Sequence, residues 1–225
     1  MAIIFPRAMP LAGVIKESFE IQRVDYLSPE AVGRLGGITA GFPLWGADWT
    51  LPTVGQDRAD EWRAWVSAQR GPGRLFFGCE QARPYPRAYP DGLGGMVRAG
   101  GGAFDGKATT WSVNGTRDVL TLTGLPAGFV FTWGDYVGFE WVTSGQARRA
   151  LVRSVDAPLV ANGAGQLVVT VEPPLPTTLV PIGAVANLDR PNCLMKLVPG
   201  ETQMGGKTRQ TAITGQIKAL QQLLP

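Results

Sequence analysis

Three acidic side chains lie among short β-type runs in the second half of this chain: Asp135, Glu140 and Asp156. Two carboxylates facing one another across strands can serve as general acid and base on a glycosidic bond. Their surroundings point elsewhere. Asp135 follows Gly134 in a turn, and Arg148, Arg149 and Arg153 offer ordinary partners on a strand face, so the acidic residues read as turn and strand-surface residues. A serine or cysteine nucleophile needs a base, and a chain without histidine lacks the commonest one. The expectation is a protein that is not an enzyme, with no catalytic, cofactor-binding or metal-binding residue assigned and no cofactor.

Two glycine-rich stretches invite a nucleotide reading and fail it. Gly200-Glu201-Thr202-Gln203-Met204-Gly205-Gly206-Lys207-Thr208 ends like a phosphate loop, but that motif places four residues between its first glycine and Gly-Lys-Thr. Here Glu201 to Gly205 intervene, one too many, and no apolar helical stripe follows Thr208, so a surface loop is expected. Gly92-Leu93-Gly94-Gly95 has neither a strand before it nor a helix after it. The two cysteines, Cys79 beside Phe76-Phe77 and Cys193 beside Leu194-Met195, read as buried free thiols rather than a disulfide. Without histidine or close cysteine spacing, a zinc site is not expected.

Aromatic residues leave one binding question open. Trp45 and Trp49 share a strand face and Trp62 and Trp65 share a helical stripe, so these four are assigned to the core. Trp111, Trp133 and Trp141 remain candidates for stacking on sugars or bases, decided by whether any of them lines an exposed groove with polar groups beside it.

The elements that position these residues follow from pattern. Ser18–Leu27 and Pro43–Leu51 alternate as strands, the second with Trp45, Ala47, Trp49 and Leu51 at period two. Asp57 to Gln69 predicts a helix capped by Asp57, with Trp62, Trp65 and Val66 on one stripe and Gly71-Pro72-Gly73 as its stop. Arg74–Gly78 reads as a short strand. Arg83-Pro84-Tyr85-Pro86-Arg87-Ala88-Tyr89-Pro90 reads as extended chain without ladders. Further strands are expected over 116–122, 133–140, 148–155, 165–175, 185–188 and 193–198, with a weak helical turn at 217–220. The 30 glycines and 18 prolines suit many short strands joined by tight turns.

The fold class is therefore mainly β with one principal helix. Residues 1–90 form a sheet-plus-helix domain, 91–109 a Gly-rich linker, 110–200 a small β-barrel or β-sandwich, and 201–225 a C-terminal tail. With 21 Lys and Arg against 18 Asp and Glu, the balance is too even for a nucleic-acid surface. Low charge (17%) with 44% hydrophobic residues favours surface covered by neighbours, with oligomerisation as the natural outlet. No apolar run is long enough to span a membrane, and Met1–Leu11 lacks the apolar core of a secretory signal.

Three stretches resemble the distal tail proteins and tail-tip adaptors of long-tailed bacteriophages and gene transfer agents. They are Asp57–Val66 with Gly73–Phe77, Trp133–Phe139 with Val152 and Val169–Leu175, and Arg190–Leu197 as the closing strand of the β module. What the resemblance implies is a virion protein at the distal end of the tail, assembled in the host cytoplasm. It would form a homo-hexameric ring through residues 1–90, joining the tail tube protein to the tail hub protein and baseplate. Residues 110–200 would project outward as a β module, possible support for host-facing components. The alternative is a carbohydrate-binding β module on a structural adaptor, assisting host-surface attachment.

Overall fold

The computed structural model describes residues 3–10, 13–29, 35–208, 211–212 and 215–223. It is mainly β with a single α-helix, in agreement with the sequence. Six strands make the first sheet, in the spatial order Arg7–Ala8, Phe76–Gly78, Cys193–Leu197, Gln216–Gln221, Leu44–Thr50 and Lys16–Gln22. The first pair is parallel and every other neighbour antiparallel. Leu44–Thr50 buries Trp45, Ala47 and Trp49 from alternate positions, as a half-buried strand must. Phe19 stacks on Trp45 with ring centroids 5.3 Å apart.

The helix, Gln56–Gln69, lays Trp62 and Trp65 on this sheet. Trp65 meets Phe76 edge-on at 4.9 Å and donates its indole N–H to the Ala8 carbonyl at 2.8 Å. It ends at Gln69, as expected, but its start differs. Gly55 occupies the N-cap position with no side-chain hydrogen bond, and Asp57 lies inside the first turn, where its charge still favours the exposed amides. At the other end Arg70 adopts the left-handed conformation before Gly71–Gly73.

The second sheet runs Val185–Asn187, Tyr136–Thr143, Gln146–Ser154, Leu167–Glu172, Val119–Thr123 and Thr110–Val113. Its two ends meet. Ala108 donates to the Ala186 carbonyl at 2.9 Å and Leu188 to the Gly106 carbonyl at 2.7 Å, closing the sheet into a barrel around Leu120, Phe129, Phe131, Phe139, Val152 and Val169.

Four assignments made along the chain are corrected by this pairing. Cys193–Leu197 belongs to the first sheet, between Phe76–Gly78 and Gln216–Gln221, so it does not close the barrel. The expected tail carries Gln216–Gln221, a strand rather than a helical turn, because Ile217 and Ala219 alternate inward beside Trp49 and Ala47. The expected linker buries Leu93, Phe104 and Ala108 in the barrel core, and Tyr89 stacks on Phe129 at 4.8 Å. The expected strand over 18–27 is two: Lys16–Gln22 stays in the sheet, while Asp25–Pro29 leaves it to pair with Leu35–Thr39 as a hairpin.

The sheet and barrel share a core. Tyr136 and Leu151 of the barrel pack among Phe19, Trp45 and Trp49. The basic cluster, expected on a solvated face, turns to this junction: Arg149 lies over Phe77, and Arg153 lies over Trp45 while pairing with Glu20 at 2.8 Å.

Candidate functional site

The structure gives the three barrel carboxylates separate tasks. Asp135 is fully buried, correcting its surface assignment. One oxygen accepts from the Arg87 amide at 2.9 Å and the other from the Thr132 amide at 2.8 Å, with the Arg83 guanidinium 3.8 Å away. Burial raises its pKa, and these amides and arginines pull it back. Asp135 thus pins the proline-rich segment to the barrel. Glu140 accepts from Asn187 at 3.0 Å and faces Arg149 at 3.7 Å. Asp156 accepts from the Thr170 amide at 3.0 Å, and its hydrogen bonds to Thr170 hold its pKa down.

The glycine-rich loop at 200–208 lies along the last strand. Gln203 pairs with Gln216, Thr202 donates its hydroxyl to the Lys218 carbonyl, and Lys207 pairs with Asp60 of the helix. Its lysine is turned to a carboxylate rather than to a cradle of backbone amides.

The tryptophans separate cleanly. Trp111 packs edge-on against Phe139 and donates to the Ala184 carbonyl at 2.6 Å, while Trp141 is half-buried against the barrel core. Trp133 is 53% exposed. It stands on a groove of about 570 Å³ where Glu20 of the first sheet, Glu80, Arg83 and Arg87 of the connecting segment, and Tyr136 and Arg153 of the barrel converge.

The parts of this groove are fixed. Arg83 donates to the Trp133 carbonyl at 3.0 Å, and the Gly134 amide donates to the Ser154 carbonyl at 2.9 Å. Gly134 suits this place through its φ of +78°, and a β-carbon there would push the Arg83 guanidinium aside. The Tyr136 hydroxyl lies beside Glu80 and Arg153, and burial, with the charge of Glu80 adding to it, raises the phenol's pKa. Glu80 is itself half-buried, and that burial raises its carboxyl pKa. Sequence reading found Trp133 but missed Glu20, Glu80, Arg83 and Arg87 as its neighbours. The Arg-Pro spacing over 83–90 was the available signal, since it keeps the arginines out of ladders. The segment is not extended throughout as expected, because the Tyr89 amide donates to the Pro86 carbonyl at 2.8 Å and the Gly92 amide to the Tyr89 carbonyl at 3.0 Å in successive turns.

A different kind of surface lies at the rim of the first sheet. The 25–39 hairpin pairs Tyr26 with Ile38, and these residues are 64% and 73% exposed, with Leu27 beside them at 66%. It follows directly on Lys16–Gln22, whose outer edge has no strand beside it among the described residues. Arg7–Ala8 is the opposite edge, near exposed Ile3 and Ile4.

No protein-family model matches this chain, and no curated protein matches it. Among the described residues, no group of three or more Cys, Asp or Glu side chains is placed to hold a metal ion, and no helix is long and apolar enough to cross a membrane.

Proposed function

We propose that this protein is a structural subunit of a phage-type tail tip, closing into a six-fold ring that joins the tail tube to the central hub. The observation that carries this reading is the first sheet's two open edges, each accompanied by exposed apolar residues: the 25–39 hairpin with Tyr26, Leu27 and Ile38 on one side, Ile3 and Ile4 on the other. Exposed edges and apolar patches are liabilities in a lone molecule and assets in an assembly. Unlike edges on one subunit favour head-to-tail contact, which leaves no interface unfilled only when it closes into a ring. The Asp57–Val66 and Gly73–Phe77 resemblance adds the symmetry and the tail location. The barrel is the outward module in this arrangement, and Arg23–Glu172 and Arg153–Glu20 help hold it against the sheet.

A reconstruction of intact particles tests the reading. The expected result is six copies around the tail axis at its distal end, with the 25–39 hairpin in the subunit contact. Location in the capsid, or a non-ring arrangement in the tail, refutes it.

A further inference from the structure

The Trp133 groove has a composition that ring formation does not explain. Of the seven tryptophans, the other six are buried or half-buried, so an indole left half in solvent stands out. Around it stand three guanidiniums and two carboxylates, drawn from three separated parts of the chain. Arg153 is engaged by Glu20, and Arg83 by the Trp133 carbonyl and Asp135, whereas Arg87 is exposed.

This mixture narrows the ligand chemistry. An exposed indole offers a flat apolar face at low entropy cost. Carboxylates accept hydrogen bonds from hydroxyls but repel a row of successive phosphodiester anions, which argues against a nucleic-acid backbone. Arginines beside them favour one planar anionic group, for which a carboxylate is the natural partner. A pyranose bearing a carboxylate has all three features: an apolar ring face, hydroxyl donors and a single negative charge.

We propose that the Trp133 groove binds a carboxylated pyranose unit of an acidic oligosaccharide. The indole stacks on the ring face, Glu20 and Glu80 accept from hydroxyls, and Arg83 and Arg87 hold the carboxylate. The contacts that fix Gly134, Tyr136 and Arg153 prepare the groove before binding, which lowers the ordering cost. The proposal is independent of ring formation.

Titration calorimetry on the full chain tests it, with trigalacturonate and 3′-sialyllactose as acidic probes and maltotriose as the neutral one. At least one acidic trisaccharide is expected to bind, at least about tenfold more tightly than maltotriose and more weakly as salt rises. Which one binds distinguishes a uronate from a nonulosonate. Trp133→Ala and Arg87→Gln, both at exposed positions, are each expected to reduce affinity about tenfold while leaving the melting temperature unchanged. Trp111→Phe should leave affinity intact. The proposal is overturned if neither acidic probe binds at millimolar concentration, if maltotriose binds equally well, or if Trp133→Ala binds like the parent. Such a failure leaves the particle reconstruction as a separate test of the ring.

Discussion

Trp45, in the first sheet, donates its indole N–H to the carbonyl of Leu151, in the barrel, at 2.7 Å, and both residues are buried. Sheet and barrel are therefore joined through a shared interior rather than by a tether. Replacing Trp45 with Phe keeps an aromatic ring but leaves the Leu151 carbonyl without its donor, which should cost about 1–3 kcal/mol. Denaturation of the parent, followed in parallel by fluorescence and circular dichroism, should give one coincident transition. Two resolved transitions would count against a common core.

Trp62 and Trp65 fill the space between helix and sheet, meeting at 5.8 Å. Truncating Trp62 to Ala should cost about 3–5 kcal/mol, because neighbouring rings cannot collapse fully into the void. A loss below about 1 kcal/mol in equilibrium denaturation would mean that the helix is not anchored through this ring.

Removing residues 216–225 should prevent folding. Gln216–Gln221 lies between Cys193–Leu197 and Leu44–Thr50, so its loss unpairs two strands at once. A truncated chain with parent-like circular dichroism and melting would show that the strand is dispensable.

The thiols give a pH-dependent prediction. Cys79 is partly exposed rather than fully buried as the sequence suggests, yet desolvation, with the Glu17 carboxylate adding to it, pushes its thiol from 9.0 up to about 11, so the folded protein retains a proton that the unfolded chain releases first. Stability from this group is accordingly present below pH 9.0 and lost as pH rises through about 11. Thiol labelling of folded protein near pH 8 should be much slower than after denaturation, with Cys193, fully buried, the slower of the two. Equal labelling rates in folded and denatured protein would overturn the assignment.

How much was legible depended on how local each signal is. The helix stripe at Trp62 and Trp65 and the alternation at Trp45, Ala47 and Trp49 are properties of neighbouring residues, and both appear where their periodicity places them. Partner choice between strands is not local. Cys193–Leu197 and Val185–Asn187 are both short, largely apolar runs, and only long-range pairing sends the first to the sheet and the second to the barrel. Ile217-Lys218-Ala219-Leu220 fits helix and strand alike over so few residues, and the neighbouring strands decide. The 91–109 segment is glycine-rich enough to hide its anchors, Leu93, Phe104 and Ala108. At the groove, Trp133 was visible as a candidate, but Glu20 comes from more than a hundred residues away, and no spacing rule connects them.

The place of Gln216–Gln221 in the first sheet also bears on how the molecule is made. Synthesis proceeds from the N-terminus, so every barrel strand is made before residue 216 is added. Barrel strands can pair while Trp45 and Trp49 still wait for their neighbouring strand, leaving Leu44–Thr50 with an open ladder until Gln216–Gln221 emerges. Any chaperone that protects the nascent chain is needed longest at that strand, and a pause between residues 188 and 216 prolongs the exposure of the first sheet rather than of the barrel.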